Sequence, residues 1–180
     1  METKKNFKGS NFWNNLFKSP TAKNDIEEIF KAIPTFSKVT KKYVKELIKL
    51  THNRVYSENE MIFHQGDPGI GLYIIHSGQV TIVQDSEDGS RQVSAELSKG
   101  DFFGELALLD DSPRSASAIA KKESKIVVLF KPDLDDFMEN YPQEGMKISR
   151  GISQIIATRL RTVSEDFTNL SKRLQKINGG

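Results

Sequence analysis

At 180 residues the chain is long enough for one domain with a proper core and a few flanking helices, and short for two. It contains no cysteine, which excludes disulfide staples, thiolate zinc sites, iron–sulfur sensing and a cysteine nucleophile; no apolar run reaches the roughly 18 residues of a membrane span, and Met1-Glu2-Thr3-Lys4-Lys5 lacks the apolar core of a secretory signal, so the cytoplasm is the expected location. The formal charge of +2 hides an asymmetry, because residues 1–50 hold 11 Lys against 5 Asp and Glu and the remainder is net acidic.

Residues 1–24 read as a polar extension rich in Asn and Lys. It is interrupted by Phe12-Trp13-Asn14-Asn15-Leu16-Phe17, whose apolar residues fall at helical spacing. That segment suits either a membrane surface or partner, or a short helix folded back on its own domain, the plainer of the two. The Lys-rich end likewise suits nucleic acid, anionic lipid or simple solvation of small helices.

From Asp25, the residues Ile26, Ile29, Phe30 and Ile33 share one helical face that Pro34 ends, and Val44, Leu47, Ile48 and Leu50 mark a second helix. These two make up an N-terminal helical region over 25–53. Over 54–131 the pattern changes to short β-rich runs, among them Met61-Ile62-Phe63, Leu72-Tyr73-Ile74-Ile75, Val80-Thr81-Ile82-Val83 and Ile126-Val127-Val128-Leu129-Phe130. Turn dipeptides at Gly66-Asp67, Asp67-Pro68, Ser77-Gly78, Asp88-Gly89 and Gly100-Asp101 separate them. Many short strands joined by hairpin turns predict an antiparallel β-barrel or jelly roll, and with the flanking helices an α+β domain over 25–180.

Within the strands, residues 102–117 set one acid and one base nine positions apart around an apolar helical turn, Gly104-Glu105-Leu106-Ala107-Leu108-Leu109-Asp110-Asp111-Ser112-Pro113-Arg114. A phosphate monoanion taken out of water needs a permanently charged fork and backbone N–H groups at a helix start, which Arg114 and the Gly104–Ala107 turn supply. A neighbouring sugar hydroxyl needs an acceptor, and Glu105 is one. The alternative for Arg114 is a surface ion pair with Asp110 or Asp111.

After Lys131, Pro132 with Asp133, Asp135 and Asp136 reads as a helix start that Tyr141-Pro142 breaks. A last helix runs from about Gln143 to Ile177. On it Ile156, Leu160, Val163, Phe167, Leu170, Leu174 and Ile177 recur at alternating spacings of four and three, a heptad seam that predicts a parallel homodimer, against the alternative of a helix lying across its own domain.

At residues 102–117, with Ile33-Pro34-Thr35-Phe36, Gly66-Asp67-Pro68-Gly69 and Leu72 through Val80, the sequence resembles the cyclic nucleotide-binding domains. That is the family of the catabolite activator proteins, the regulatory subunits of cAMP-dependent protein kinase and the cyclic-nucleotide-gated channels. The resemblance implies a ligand, cAMP or cGMP, with no other cofactor, and dimerisation through the last helix. It matches Glu105 to the carboxylate that accepts from the ribose 2′-hydroxyl, Arg114 to the guanidinium on the exocyclic phosphate oxygens, and Gly104, Leu106 and Ala107 to the backbone lining the phosphate. Ser115 falls where a hydroxyl donates to the phosphate or, in cGMP-preferring relatives, to guanine. Ile82 and Ala95 align with base-pocket positions, for which ordinary core is an equally good reading. A lid over the base is expected from the last helix, with Thr158, Arg159, Arg161 and Thr162 as polar candidates.

His52, His64 and His76 are dispersed and include no His-x-His pair, so a metal site of the cupin type is not expected. No Gly-rich loop ending in Gly-Lys-Ser/Thr, no Gly-x-Ser-x-Gly elbow and no hydrolytic carboxylate pair is present, and a non-enzymatic regulator is expected. Since the chain stops at Gly179-Gly180 after the helix that would lead into a helix-turn-helix, a stand-alone domain without a nucleic-acid partner and with an unknown protein effector is expected. A truncated transcription regulator and an interaction module with a vestigial pocket are the alternatives.

Overall fold

Where apolar residues come in unbroken runs rather than alternating with polar ones, a strand must be covered on both faces, and this chain builds its centre from two such strands. The computed structural model describes residues 26–86, 89–110 and 112–178. The expectations for residues 1–24, for Asp25, Asp88 and Asp111, and for the side chain of Ile177 lie outside the described residues.

Two short helices, α1 (Ile26–Ala32) and α2 (Lys41–Lys49), lead into eight strands: β1 (His52–Tyr56), β2 (Met61–Phe63), β3 (Gly71–Ser77), β4 (Gln79–Asp85), β5 (Arg91–Ser98), β6 (Phe102–Phe103), β7 (Ser117–Ala120) and β8 (Ser124–Phe130). A single 3-10 turn, Glu105–Leu108, separates β6 from β7, and helices α3 (Lys131–Asn140) and α4 (Pro142–Asn178) follow β8. The strands begin at His52, two residues before the expected boundary.

The strands form two antiparallel four-stranded sheets, ordered β1-β8-β3-β6 and β2-β7-β4-β5. Of the expected antiparallel barrel or jelly roll, the jelly roll is the form present. Among the described residues no ladder joins β1 or β6 to β2 or β5, since two- and three-residue strands such as β6 and β2 offer too few backbone groups to carry pairing across a seam. The jelly-roll character holds as a sandwich of two facing sheets.

Side-chain alternation on β3 and β8 divides the core. Leu72, Ile74, Val127 and Leu129 pack on the helices with Phe30, Phe36, Leu47, Leu134, Ile148 and Ile152, whereas Tyr73, Ile75, Ile126 and Val128 meet Val80, Leu97 and Ala118 of the second sheet. The two central strands of the first sheet, β3 and β8, are thus buried on both faces, which explains the runs Leu-Tyr-Ile-Ile and Ile-Val-Val-Leu.

Helix α4 has 37 residues and is about 55 Å long at about 1.5 Å per residue. Its first half is fixed to the domain. Ile148, Ile152 and Ile155 are buried, and Gly151 lies so close to the α1–α2 connection that a Cβ there would stand 2.5 Å from Thr35 Cα. Buried Glu144 accepts from the Thr40 N–H and hydroxyl, both at 3.0 Å, and from Lys147 Nζ at 2.7 Å. It thereby ties Thr40, the residue that opens α2 and makes no capping bond from its own side chain, to the start of α4. Beyond Ile155 the apolar seam is bare: Leu160, Val163, Phe167, Leu170 and Leu174 are all more than half exposed. Among the described residues no helix is long and apolar enough to cross a membrane.

Candidate functional site

β6 lies against β3 with Phe103 opposite Tyr73, and the chain then has to turn sharply away from the sheet. Gly104 makes that turn in the left-handed conformation, at φ 75°, where a side chain is strained. A Cβ there would also lie 2.6 Å from a guanidinium nitrogen of Arg114. The expected helix start is this 3-10 turn, so only its first amides, those of Glu105 and Leu106, are left without a partner inside the turn. The first two residues of the expected helical segment are strand β6.

Arg114 is fixed at both its backbone and its side chain. Its N–H donates to Asp67 O and its carbonyl accepts from Gly66 N, each at 2.8 Å, so the Gly66-Asp67-Pro68-Gly69 turn serves as a clamp for this residue. Asp67 is itself held, its carboxylate accepting from the His64 N–H at 2.7 Å. The guanidinium donates through Nη1 to Gly104 O and through Nη2 to Gly71 O, both at 3.1 Å. It lies over the Phe63 ring at 4.4 Å and near Tyr73 at 5.3 Å, each ring contributing cation–π attraction.

Arg114 is 7% exposed, and burial draws its pKa below the usual arginine value. Its buried Nε has no hydrogen-bond partner, and no carboxylate among the described residues pairs with it. The surface pair with Asp110 does not form. A cation taken out of water without a counter-ion is costly, and here two of five donors are spent on carbonyls and the Tyr73 side chain shares in the hydrogen bonding, which leaves the remaining donors for an anion.

Glu105, 3% exposed, stands in the same cavity and accepts a charge-assisted bond from Arg159 Nη1 on α4. Burial lowers the Arg159 pKa to about 10, which still leaves the guanidinium charged at neutral pH. The cavity measures about 240 Å³ and is lined by Ile82, Gly104, Glu105, Leu106, Ala107, Arg114, Ser115 and Arg159, with Phe63 and Phe103.

Eight of the nine residues singled out in the sequence therefore meet at one cavity. Ala95 does not: it pairs with Ile82 across β4 and β5 and its small side chain is spent on the core between the sheets. Of the four polar candidates on the last helix only Arg159 lines the cavity. Thr158 and Thr162 instead donate back to carbonyls of their own helix, and Arg161 reaches Thr158. Sequence reasoning missed two roles, the ion pair between Arg159 and Glu105 and the aromatic bed of Phe63 and Tyr73 under Arg114. The only local signal for the second was the placement of aromatics on β2 and β3.

Among the described residues no three His, Asp or Glu side chains converge to hold a metal. His52 instead faces Asp133 at 3.6 Å on the surface.

Residues 53–141 match the family model described as the cyclic nucleotide-binding domain. The chain is 30% identical over 141 residues to the cyclic AMP receptor protein of Thermus thermophilus, covering 78% of this chain and 63% of that protein. It is 35% identical over 105 residues to the cAMP-dependent protein kinase regulatory subunit of Hypocrea atroviridis, covering 58% of this chain and 22% of the relative. The chain thus spans less than two thirds of either relative's length. Its fold matches the crystal structure of the N-terminal domain of a transcriptional regulator from Streptomyces coelicolor A3(2) with a TM-score of 0.67 at 27% identity, over 77% of this chain and 94% of that one.

Proposed function

Residues 53–141 belong to the cyclic nucleotide-binding domain family, and from that premise we propose that the chain is a non-catalytic cytoplasmic receptor for a cyclic nucleotide, cAMP before cGMP, which signals through helix α4 and uses no further cofactor. The observation that carries this reading is Arg114, a buried guanidinium with no carboxylate counter-ion among the described residues, set in the wall of a cavity that also holds Glu105. The order of the two nucleotides follows the relatives, two of which are named for cAMP.

In this reading the remaining donors of Arg114 and the amides opening the Glu105–Leu108 turn take the phosphate. The ribose hydroxyl donates to Glu105. Glu105 already accepts from Arg159, so a sugar that claims the same carboxylate changes the hold of the domain on α4 at the place where the helix leaves it. A ligand with different affinity for the two arrangements shifts their populations. Calorimetry with cAMP and cGMP tests the proposal. Saturable binding of cAMP is expected, and no heat or melting shift with either nucleotide would remove the reading.

The exposed heptad seam of α4 is the dimer contact in this proposal, joining two copies in parallel. Sedimentation is expected to report a dimer that Phe167→Asp converts to monomer.

A further inference from the structure

The wall of the cavity carries four charged side chains, Glu105, Asp110, Arg114 and Arg159. In the receptor reading three of them have a role, since Arg114 faces the phosphate and Glu105, held by Arg159, faces the ribose. Asp110 has none. It is exposed, and no ion pair among the described residues engages it. An acid in the wall of a site built for an anion opposes its ligand by Coulomb repulsion.

Local structure does not account for that charge. The Asp110 carboxylate accepts from the Ser112 N–H at 3.2 Å and from the Ser112 hydroxyl at 2.9 Å, closing a turn with the backbone two residues on. Such a turn needs an acceptor oxygen and no charge, so Asn closes it as well. The same bonds hold the carboxylate in place. Further along, a Cβ on Gly69 would stand 3.1 Å from Ser112 O, and the Arg114 N–H is anchored on Asp67 O at 2.8 Å. The stretch from 110 to 114 is thus held at both ends, with its acid and its base unpaired on one wall.

The charges of the wall sort ligands by their own charge. Glu105 and Arg159 are neutral as a pair, which leaves Arg114 set against Asp110. A cyclic phosphodiester brings a single negative charge, and Arg114 meets it. The monoester formed by opening the ring has a second pKa of about 6 and carries about −1.5 to −2 at neutral pH. Its second charge finds no unengaged cation in the wall and meets the Asp110 carboxylate instead.

We propose that Asp110 is a specificity-determining residue, one that makes the cavity select a monoanionic cyclic diester over a dianionic nucleoside monophosphate. The proposal rests on the reading of the cavity as a cyclic nucleotide site. It gives the receptor a clean end to its signal, because hydrolysis of the ligand yields a product that the wall rejects. A sphere of about 240 Å³ is about 8 Å across, and over that distance, in surroundings between protein and water, one pair of like charges weakens binding about fivefold. A monoanion meets that factor once and a dianion twice, about 25-fold.

The test uses the full chain, with calorimetry for cAMP and displacement of bound cAMP for adenosine 5′-monophosphate. Asp110→Asn keeps the acceptor for Ser112 and removes the charge. It is expected to bind cAMP about fivefold more tightly and the monophosphate about 25-fold more tightly, so that the preference for cAMP narrows about fivefold. Asp110→Glu keeps the charge and is expected to keep the wild-type preference. Towards 1 M salt, where the screening length falls to about 3 Å, the wild-type preference is expected to approach that of Asp110→Asn. Equal factors for the two nucleotides in Asp110→Asn, no displacement by the monophosphate from that variant, or the same narrowing in Asp110→Glu would each overturn the proposal and leave the receptor reading standing. A wild type that binds neither nucleotide would overturn both.

Discussion

Replacing Arg114 by Gln removes the positive charge from the cavity and keeps one amide donor for the Gly104 or Gly71 carbonyl. Charge-assisted hydrogen bonds contribute about 1.5–3 kcal/mol each, so loss of the phosphate contact amounts to about 3 kcal/mol and weakens cyclic nucleotide binding about 150-fold. The apo protein responds differently. Burial disfavours this guanidinium, and removing an uncompensated buried cation offsets the loss of one carbonyl partner. Its melting temperature is therefore expected to stay within a few degrees of wild type. With cAMP at about 1,000 times the wild-type Kd, the wild type gains about 4 kcal/mol, or about 8–16 °C at about 2–4 °C per kcal/mol for a chain of this size. The variant, at the same concentration, gains about 1.2 kcal/mol and about 2–5 °C. Differential scanning fluorimetry with and without cAMP reads both quantities. A Kd within about threefold of wild type would show that the phosphate does not rest on Arg114, and a collapse of the apo protein would show that the residue is structural.

Breaking the pair across the cavity by Arg159→Ala leaves the Glu105 carboxylate buried without that partner and is expected to cost about 3 kcal/mol of stability; adding Glu105→Gln restores most of it, and additive losses in the double-mutant cycle would deny the coupling. Burial on its own would raise the Glu144 pKa, but hydrogen bonds from Lys147 and Thr40 outweigh it and hold the carboxyl below the ordinary 4.5. A depressed folded value gives stability that is fully present above pH 4.5 and is lost as pH falls through the folded pKa. Glu144→Gln is thus expected to lower stability by about 1–3 kcal/mol at neutral pH, with the difference from wild type closing in acid; parallel melting profiles across pH would refute this. Gly151→Ala, which inside an ordinary helix is stabilising by about 0.5–1 kcal/mol, is expected here to destabilise by about 1–3 kcal/mol, because its Cβ meets Thr35 Cα and Pro34 O at 2.5 and 2.8 Å. A higher melting temperature would contradict that packing.

The sequence displayed what is local. The helical faces of Ile26–Ile33 and Val44–Leu50, the continuous runs of β3 and β8, and the acid and base of residues 105 and 114 each carry their signal within a few positions. β1 and β5 were harder to read, since His-Asn-Arg-Val-Tyr and Arg-Gln-Val-Ser-Ala-Glu-Leu-Ser are mostly exposed edge strands whose polar residues leave little periodicity. Sandwich or barrel depends on pairing at sheet edges, which no single strand records. Ala95 and Ile82 are directly paired and so point to the same face of their sheet, yet only Ile82 lines the cavity, because Ala95 lies one strand further out, on edge strand β5, and has only a methyl group to reach with. The pairs Glu105–Arg159 and Thr40–Glu144 join residues 54 and 104 positions apart, and spacing carries no trace of contacts at that separation.

Helix α4 is clamped over its first turns by Gly151 and the Glu144 staple, and then projects for about 35 Å beyond Ile155 at about 1.5 Å per residue. Arg159 grips the domain close to the fulcrum of this overhang. A tilt of about 5° about that point, imperceptible at the cavity, sweeps the far end through about 3 Å. In the proposed receptor the arm would turn an ångström-scale event at a carboxylate into travel that a distant binding surface can register.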